Sequence, residues 1–329
     1  MEKIGKIDKI DKKIIFELEK NLRTPNSKIA KEVGISKQVL GNRIKRMENE
    51  NIIHGYWSVV DYHKIGFDCA TISLRLNLRN KEMREKIEEI SPIENVGWVG
   101  LCYGKWDLIV AVFYEEISEL NETMVEIFSI FKENIVEHFI FENTENHSLH
   151  IKMFNPEKPS PKKFTAGQGG RKKISELDYK ILQILSKESR INLVELSKKS
   201  NLSIPTLKKH INNLIEEEVI LGFRPIVNFI KLGYMWNTLN LRIDKTKEEK
   251  LIYYLSEHER VIFISKGVSD ILNIDVLTKD PLEFKKLMDQ FREECPGIIE
   301  SFQLTTIIDI IKNINFLPKR PSYLESKLI

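Results

Sequence analysis

The sequence is short of the residues that cross-link, anchor or export a chain. Its 3 cysteines, Cys69, Cys102 and Cys295, are odd in number and widely spaced, so they give neither a disulfide framework nor a C-x-x-C metal pair. No apolar run approaches the roughly 18 residues of a membrane span. The opening, MEKIGKIDKIDKK, lacks the apolar stretch of a secretory leader. A reducing cytoplasm is therefore the expected location, with no membrane partner. What is present is ordinary globular material: 42% hydrophobic and 30% charged residues over 329 positions, enough for two or three domains with cores that need no cross-link or metal.

The net charge of +3 hides a segregation along the chain. Residues 1–67 carry +5, residues 68–154 carry −8, and residues 155–174 carry +5; residues 175–234 and 235–329 carry +2 and −1. A basic segment beside an acidic one implies different partners for different regions.

The chain also repeats itself. A shift of 167 positions lays DKKIIFELEKNLRTPNSKIAKEVGIS, from Asp11, over DYKILQILSKESRINLVELSKKSNLS, from Asp178, without a gap. The register continues through Ile52 to Phe67 on Val219 to Tyr234, matching Gly55 with Gly222, Lys64 with Lys231 and Gly66 with Gly233. Between the copies, Asn155 to Lys173 gathers 3 prolines, 3 glycines and 6 basic residues, the composition of a flexible, partly extended linker. Its GQGG follows no predicted strand and fits no phosphate-loop pattern.

Each copy opens with three short helical patterns. In the first, Asp8 caps a helix carrying Ile10, Ile14, Ile15 and Leu18 inward. A second runs from about Asn26 to Val33. After the Gly34-Ile35-Ser36 turn, a third runs from Lys37 to Asn49 with Val39, Leu40, Ile44 and Met47 inward. Two helices joined by such a turn form a helix-turn-helix, and Ile52 to Val60 reads as a wing around Gly55. The last helix turns Ser36, Lys37, Gln38, Asn42, Arg43, Lys45 and Arg46 outward, side chains suited to phosphate, guanine and adenine, so these are the expected DNA contacts. The second copy offers Lys208, Lys209 and His210 before three glutamates, a weaker reader.

Behind each helix-turn-helix the pattern becomes strand-helix-strand-strand-helix-strand, a ferredoxin-like βαββαβ domain. The expected fold class is α+β: two winged helix-turn-helix domains, each followed by a ferredoxin-like domain. The boundaries are 1–67, 68–154, a basic linker at 155–174, 175–234, 235–313, and a tail at 314–329.

This combination resembles the Lrp/AsnC family of feast/famine transcription regulators. The resemblance is carried by IDKIDKKII with IAKEVGISKQVLGNRIKRMENENII, by HGYWSVVDYHKIGF and its second-copy counterpart LGFRPIVNFIKLGY, and by the G-x-x-D turns at Gly104/Asp107 and Gly267/Asp270. It implies a regulator that binds double-stranded DNA, forms homo-oligomers through its ferredoxin-like domains, and takes an amino acid or related effector at Gly104, Asp107, Gly267 and Asp270. The family usually has one unit per chain, so two fused units can pair within one chain as a pseudo-dimer.

Two other readings stand beside it. Siroheme decarboxylases are also built from two related units, and a tetrapyrrole site here would draw on Arg224, Tyr234, His54 and His63. An architectural or coactivator protein would bind DNA weakly and recruit transcription machinery through its acidic domain. His147 and His150 have metal-ligand spacing only if that segment is helical. Trp98, Trp106 and Trp236, with Phe128 and Phe131, read as sheet packing. No catalytic motif, metal or cofactor is expected.

Overall fold

The computed structural model describes residues 5–158, 163–313 and 318–325. Residues 159–162 of the expected linker and half of the expected tail, 314–317 and 326–329, lie outside them. The first head holds α1 (Lys9–Lys20), α2 (Asn26–Val33) and α3 (Lys37–Asn49), followed by β1 (Ile53–Val60). Asp8 caps α1 by accepting from the Asp11 amide at 2.8 Å, while the Asp11 carboxylate accepts from the Asp8 amide at 3.0 Å, a reciprocal capping box. Gly34 ends α2 at φ 78°, where a side chain would be strained, and Ser36 caps α3. Leu40, Ile44 and Met47 form the buried stripe of α3. Val39 lies about 100° away from Leu40 around the helix and is 41% exposed, not inward as expected.

The first ferredoxin-like unit contains β2 (Asp68–Leu76), α4 (Asn80–Ile90), β3 (Val96–Gly104), β4 (Leu108–Tyr114), α5 (Ile117–Phe131) and β5 (Ile135–Ser148). A short strand β6 (Phe164–Ala166) follows in the linker. The second head repeats the pattern with α6 (Glu176–Lys187), α7 (Leu193–Ser200), α8 (Ile204–Glu216) and β7 (Ile220–Val227). The second sheet unit has β8 (Met235–Ile243), α9 (Glu248–Glu257), β9 (Val261–Gly267), β10 (Ile271–Thr278), α10 (Pro281–Glu294) and β11 (Ile299–Lys312).

The expected wing is not a wing. Ile53 to Val60 forms one strand, and its partner is the matching strand of the other copy. The register sets Trp57 opposite Arg224, its own counterpart at the 167-residue shift, so a local pseudo-two-fold passes between them. Reciprocal contacts flank this axis. The Arg23 guanidinium lies 5.0 Å over the Phe223 ring and Arg190 lies 5.0 Å over the Tyr56 ring, again related by the same shift. Both helical heads share one apolar core, from Ile14 and Leu40 of the first to Ile181 and Leu207 of the second. They form a single double head.

The ferredoxin-like units also pair. The order β2-β4-β3-β11-β8-β10-β9-β5, with β5 returning to β2, closes an eight-stranded barrel. Closure depends on the last strand of each unit, 14 residues long. The first part of β5 pairs with β2 and its end crosses to β9; β11 likewise pairs with β8 and then with β3. The pairing that the resemblance assigned to two chains is made here within one. Helices cover the outside of each sheet. Ala70, Ile72 and Leu74 pack under Ile87, Ile127 and Phe131 in one unit, and Leu239, Leu241 and Ile274 pack under Leu251, Leu287 and Phe291 in the other.

The described part of the linker is docked, contrary to the composition-based expectation. Phe164 to Ala166 adds β6 to the edge of β5. The Phe164 ring lies where a Cβ on Gly222 would fall, 2.3 Å from that position, which gives this β7 glycine its reason. Arg171 pairs with Asp68 at 2.7 Å and Lys172 with Glu217 at 2.5 Å. The linker's positive charge is thus partly neutralised by the units it joins.

Candidate functional site

The recognition helices are held to their heads by an acid in the first turn of each head's first helix. Asp11, fully buried at the start of α1, accepts from Arg43 at 2.8 Å and from Arg46 at 2.6 Å, and Asp8 accepts a further bond from Arg43 at 2.8 Å. The Asp8 carboxyl is held down to about 2, mainly by the Asp11 amide and then by Arg43. Arg43 is correspondingly pushed above the usual arginine range by its bonds to Asp8 and Asp11. The second copy repeats the arrangement with other chemistry: His210, which replaces Arg43, meets Asp178, which replaces Asp11, at 2.6 Å. Arg43, Arg46 and His210, expected to reach DNA, are therefore turned onto the first helix of their own heads. The signal missed by sequence reasoning was an acid at each capping-box N3 position, 32 residues before the cation.

Among the described residues, the remaining expected contacts on α3 are free of such ties. Ser36, Lys37, Gln38, Asn42 and Lys45 are exposed, Ser36 also accepting from the Val39 amide at 3.2 Å. On α8, Lys208 and Lys209 are exposed, and Ile215 and Glu216 to Glu218 stand at its end. The two faces differ in charge although one fold presents both.

The expected effector turns lie at the barrel's two seams. Gly104, at φ 119°, faces β11 so closely that a Cβ would come 2.8 Å from the Leu304 carbonyl. Gly267 lets β9 meet β5, where a Cβ would come 2.6 Å from the Phe141 ring. Asp107 accepts from the Leu76 amide at 2.8 Å, and Asp270 pairs with Arg242 at 3.0 Å. All four residues thus have close neighbours within the fold.

A cavity of about 320 Å³ fills the barrel and reaches up to the β1–β7 ribbon. The three tryptophans expected only to pack the sheets, Trp98, Trp106 and Trp236, line it, whereas Phe131, at the end of α5, lies in the core between helices and sheet with Phe128 packed against the same core. The residues set aside for a tetrapyrrole do not converge. Arg224 and His63 reach the ribbon end of the cavity, where Arg224 binds Glu19, Ser148 and the Leu149 carbonyl and His63 meets Asp68 at 2.9 Å. His54 sits on the surface beside Asn51, and Tyr234 lies under Lys279. His147 and His150 do not lie on a helix: His147, at the end of β5, meets Glu145, and His150, beyond the strand, meets Arg224. Burial pushes the His147 ring down to about 4.

Comparison with known proteins agrees with the repeat. A family model described as winged helix-turn-helix DNA-binding matches residues 7–54 and again 174–220. An HTH-type transcriptional regulator of Pyrococcus abyssi is 31% identical over 124 residues, which are 38% of this chain and 84% of that protein. The regulatory protein AsnC of Haemophilus influenzae is 29% identical over 119 residues, 36% of this chain and 79% of its own length. Among solved structures, the siroheme decarboxylase NirDL is similar in fold, with a TM-score of 0.62 at 15% identity, over 98% of this chain and 99% of that one.

Proposed function

Since the chain belongs to the Lrp/AsnC family of HTH-type transcriptional regulators, we propose that it is a sequence-specific DNA-binding regulator whose reading unit is the double head of one chain. The observation that carries this is the pairing of two recognition helices about the Trp57–Arg224 pseudo-axis, with an uncommitted, cation-bearing face on α3. Helix-turn-helix pairs place their second helices in successive major grooves, and a pseudo-two-fold of unequal faces calls for unequal half-sites. The α3 side supplies Lys37 and Lys45 for phosphate and Gln38 and Asn42 for base edges. The α8 side supplies Lys208 and Lys209 but brings three glutamates, so it contributes less. Further assembly of chains would use surfaces outside the barrel, whose strand edges are already paired.

The chain is not proposed to be an enzyme. A polycarboxylate such as the iron-uroporphyrin III analogue seen with NirDL needs free cations, and the basic groups at this cavity already face Glu19 and Asp68. Selection of bound sequences from a random duplex pool, followed by salt titration of the winner, tests the DNA reading. An asymmetric site is expected, and Lys45→Ala should lower the salt slope by about one unit. Binding without sequence preference would overturn it, and a saturable Soret shift with iron-uroporphyrin III would restore the enzyme.

A further inference from the structure

The inner face of the barrel is built unlike its outer face. Strand alternation sends Ala70, Ile72 and Leu74 outward under helices, and sends Thr71 and Ser73 inward. The other unit does the same, with Leu239 and Leu241 outward and Thr238 and Asn240 facing the cavity. Two sheets that merely packed together would meet through aliphatic side chains. Here they enclose space, hydroxyls, amides and indole rings.

Of the carboxylates that line the cavity, Glu19, Asp61 and Asp68 belong to its ribbon end, and Asp275 stands between the two sheets. Asp275 projects from β10 and accepts from the Thr238 hydroxyl at 2.7 Å, with the Trp236 indole also facing it. No basic side chain pairs with it among the described residues. An unpaired interior carboxylate is costly to a fold, so its retention points to a partner from outside. A second group is left waiting: the indole N–H of Trp106, 2% exposed and part of the cavity wall, has no hydrogen-bond partner among the described residues. The cavity volume of about 320 Å³ lies at the small end of ligand sites, which run from about 300 to 1,000 Å³.

We propose that the barrel interior binds a small aromatic cation, an arylalkylamine or a protonated nitrogen heterocycle, with its ring against Trp98, Trp106 and Trp236 and its nitrogen on Asp275. The aromatic walls favour a flat ring and a positive charge together. An anionic ligand would meet Asp275 with no cation beside it. The roof of the cavity is the ribbon joining the DNA-binding heads, so occupancy would be felt there; that consequence, unlike the binding itself, rests on the DNA-binding reading.

The test uses the full chain without DNA, so that its outcome is separate from that reading. Calorimetric and tryptophan-fluorescence titrations compare 2-phenylethylamine with phenylacetate, similar in size and opposite in charge. The amine should bind saturably at one per chain, at least about tenfold more tightly than the acid. Asp275→Asn should remove that preference, and Ala111→Trp, which fills the cavity from β4, should abolish binding in a protein whose circular dichroism shows it folded. Equal binding of both ions, a preference that survives Asp275→Asn, or no saturable binding of the amine at millimolar concentration would each overturn the proposal.

Discussion

Asp11 shows how one buried residue changes what its neighbours can do. An isolated reading of α3 counts Arg43 and Arg46 as groove-facing cations. The acid beneath them takes both, because a carboxylate sealed from water needs charged donors. Arg43→Ala should therefore act first on stability, by about 1–3 kcal/mol, less than the full cost of breaking a buried pair because Arg46 remains. Urea denaturation measures this, and an unchanged midpoint would put Arg43 back among the DNA contacts. Asp275 gives a prediction of opposite sign. Burial pushes its carboxyl up to about 6, above the unfolded value, so the folded state holds a proton that the unfolded state has released. Stability from this group is present below about pH 4, falls as pH rises to about 6, and stays lost above. Asp275→Asn should raise the melting temperature at pH 7.5, with a gain of about 1–3 kcal/mol, and should show little gain at pH 4. The sequence displayed the cation run on α3 plainly; its partners, set by packing between helices far apart in the chain, were not visible there.

At the scale of elements, the helices were legible and the strand partners were not. Capping residues, the Gly34 turn and the Leu40, Ile44, Met47 spacing are local, and α1 to α3 lie close to where those signals put them. A lone strand carries no mark of its neighbour. Ile52 to Val60 could be read as half of a hairpin, and only the fold pairs it with Ile220 to Val227. The copies also differ at matching joints. Asn51 and Glu218, 167 residues apart, both follow a recognition helix at φ 56°. Asparagine tolerates this left-handed backbone and glutamate does so poorly. Glu218→Asn should stabilise the second head by about 0.5–1 kcal/mol, since the Lys64 pairing it gives up is long, 3.7 Å, on an exposed carboxylate. Thermal melts would show it, and a loss of stability would mean that the pairing outweighs the backbone strain.

For the whole molecule, the duplication explains why one chain can do what the family resemblance assigns to two. A ferredoxin-like sheet ends in unpaired edges, here β3 and the far end of β5, and exposed edges seek strands. The second unit presents matching edges, β11 and β9, tethered in the same chain at high effective concentration. Tandem copies were evident from the 167-residue shift, but barrel closure was not, because it depends on 14-residue strands crossing between sheets. Residues 1–154 alone should therefore not remain monomeric. Their β3 and β5 would pair with those of a second copy, rebuilding the barrel as a symmetric dimer, whereas the full chain would sediment as a monomer at the same low concentration. The two materials differ in one further respect. The symmetric dimer would carry Trp57 against Trp57 on the axis, and it would lose Arg224 together with the bonds that guanidinium makes to Glu19 and Ser148. It should accordingly dissociate on dilution and leave Glu19 buried without its cation. Sedimentation velocity across a concentration series decides the point, and a monomeric fragment with a folded circular dichroism spectrum would mean that the first unit satisfies its own edges.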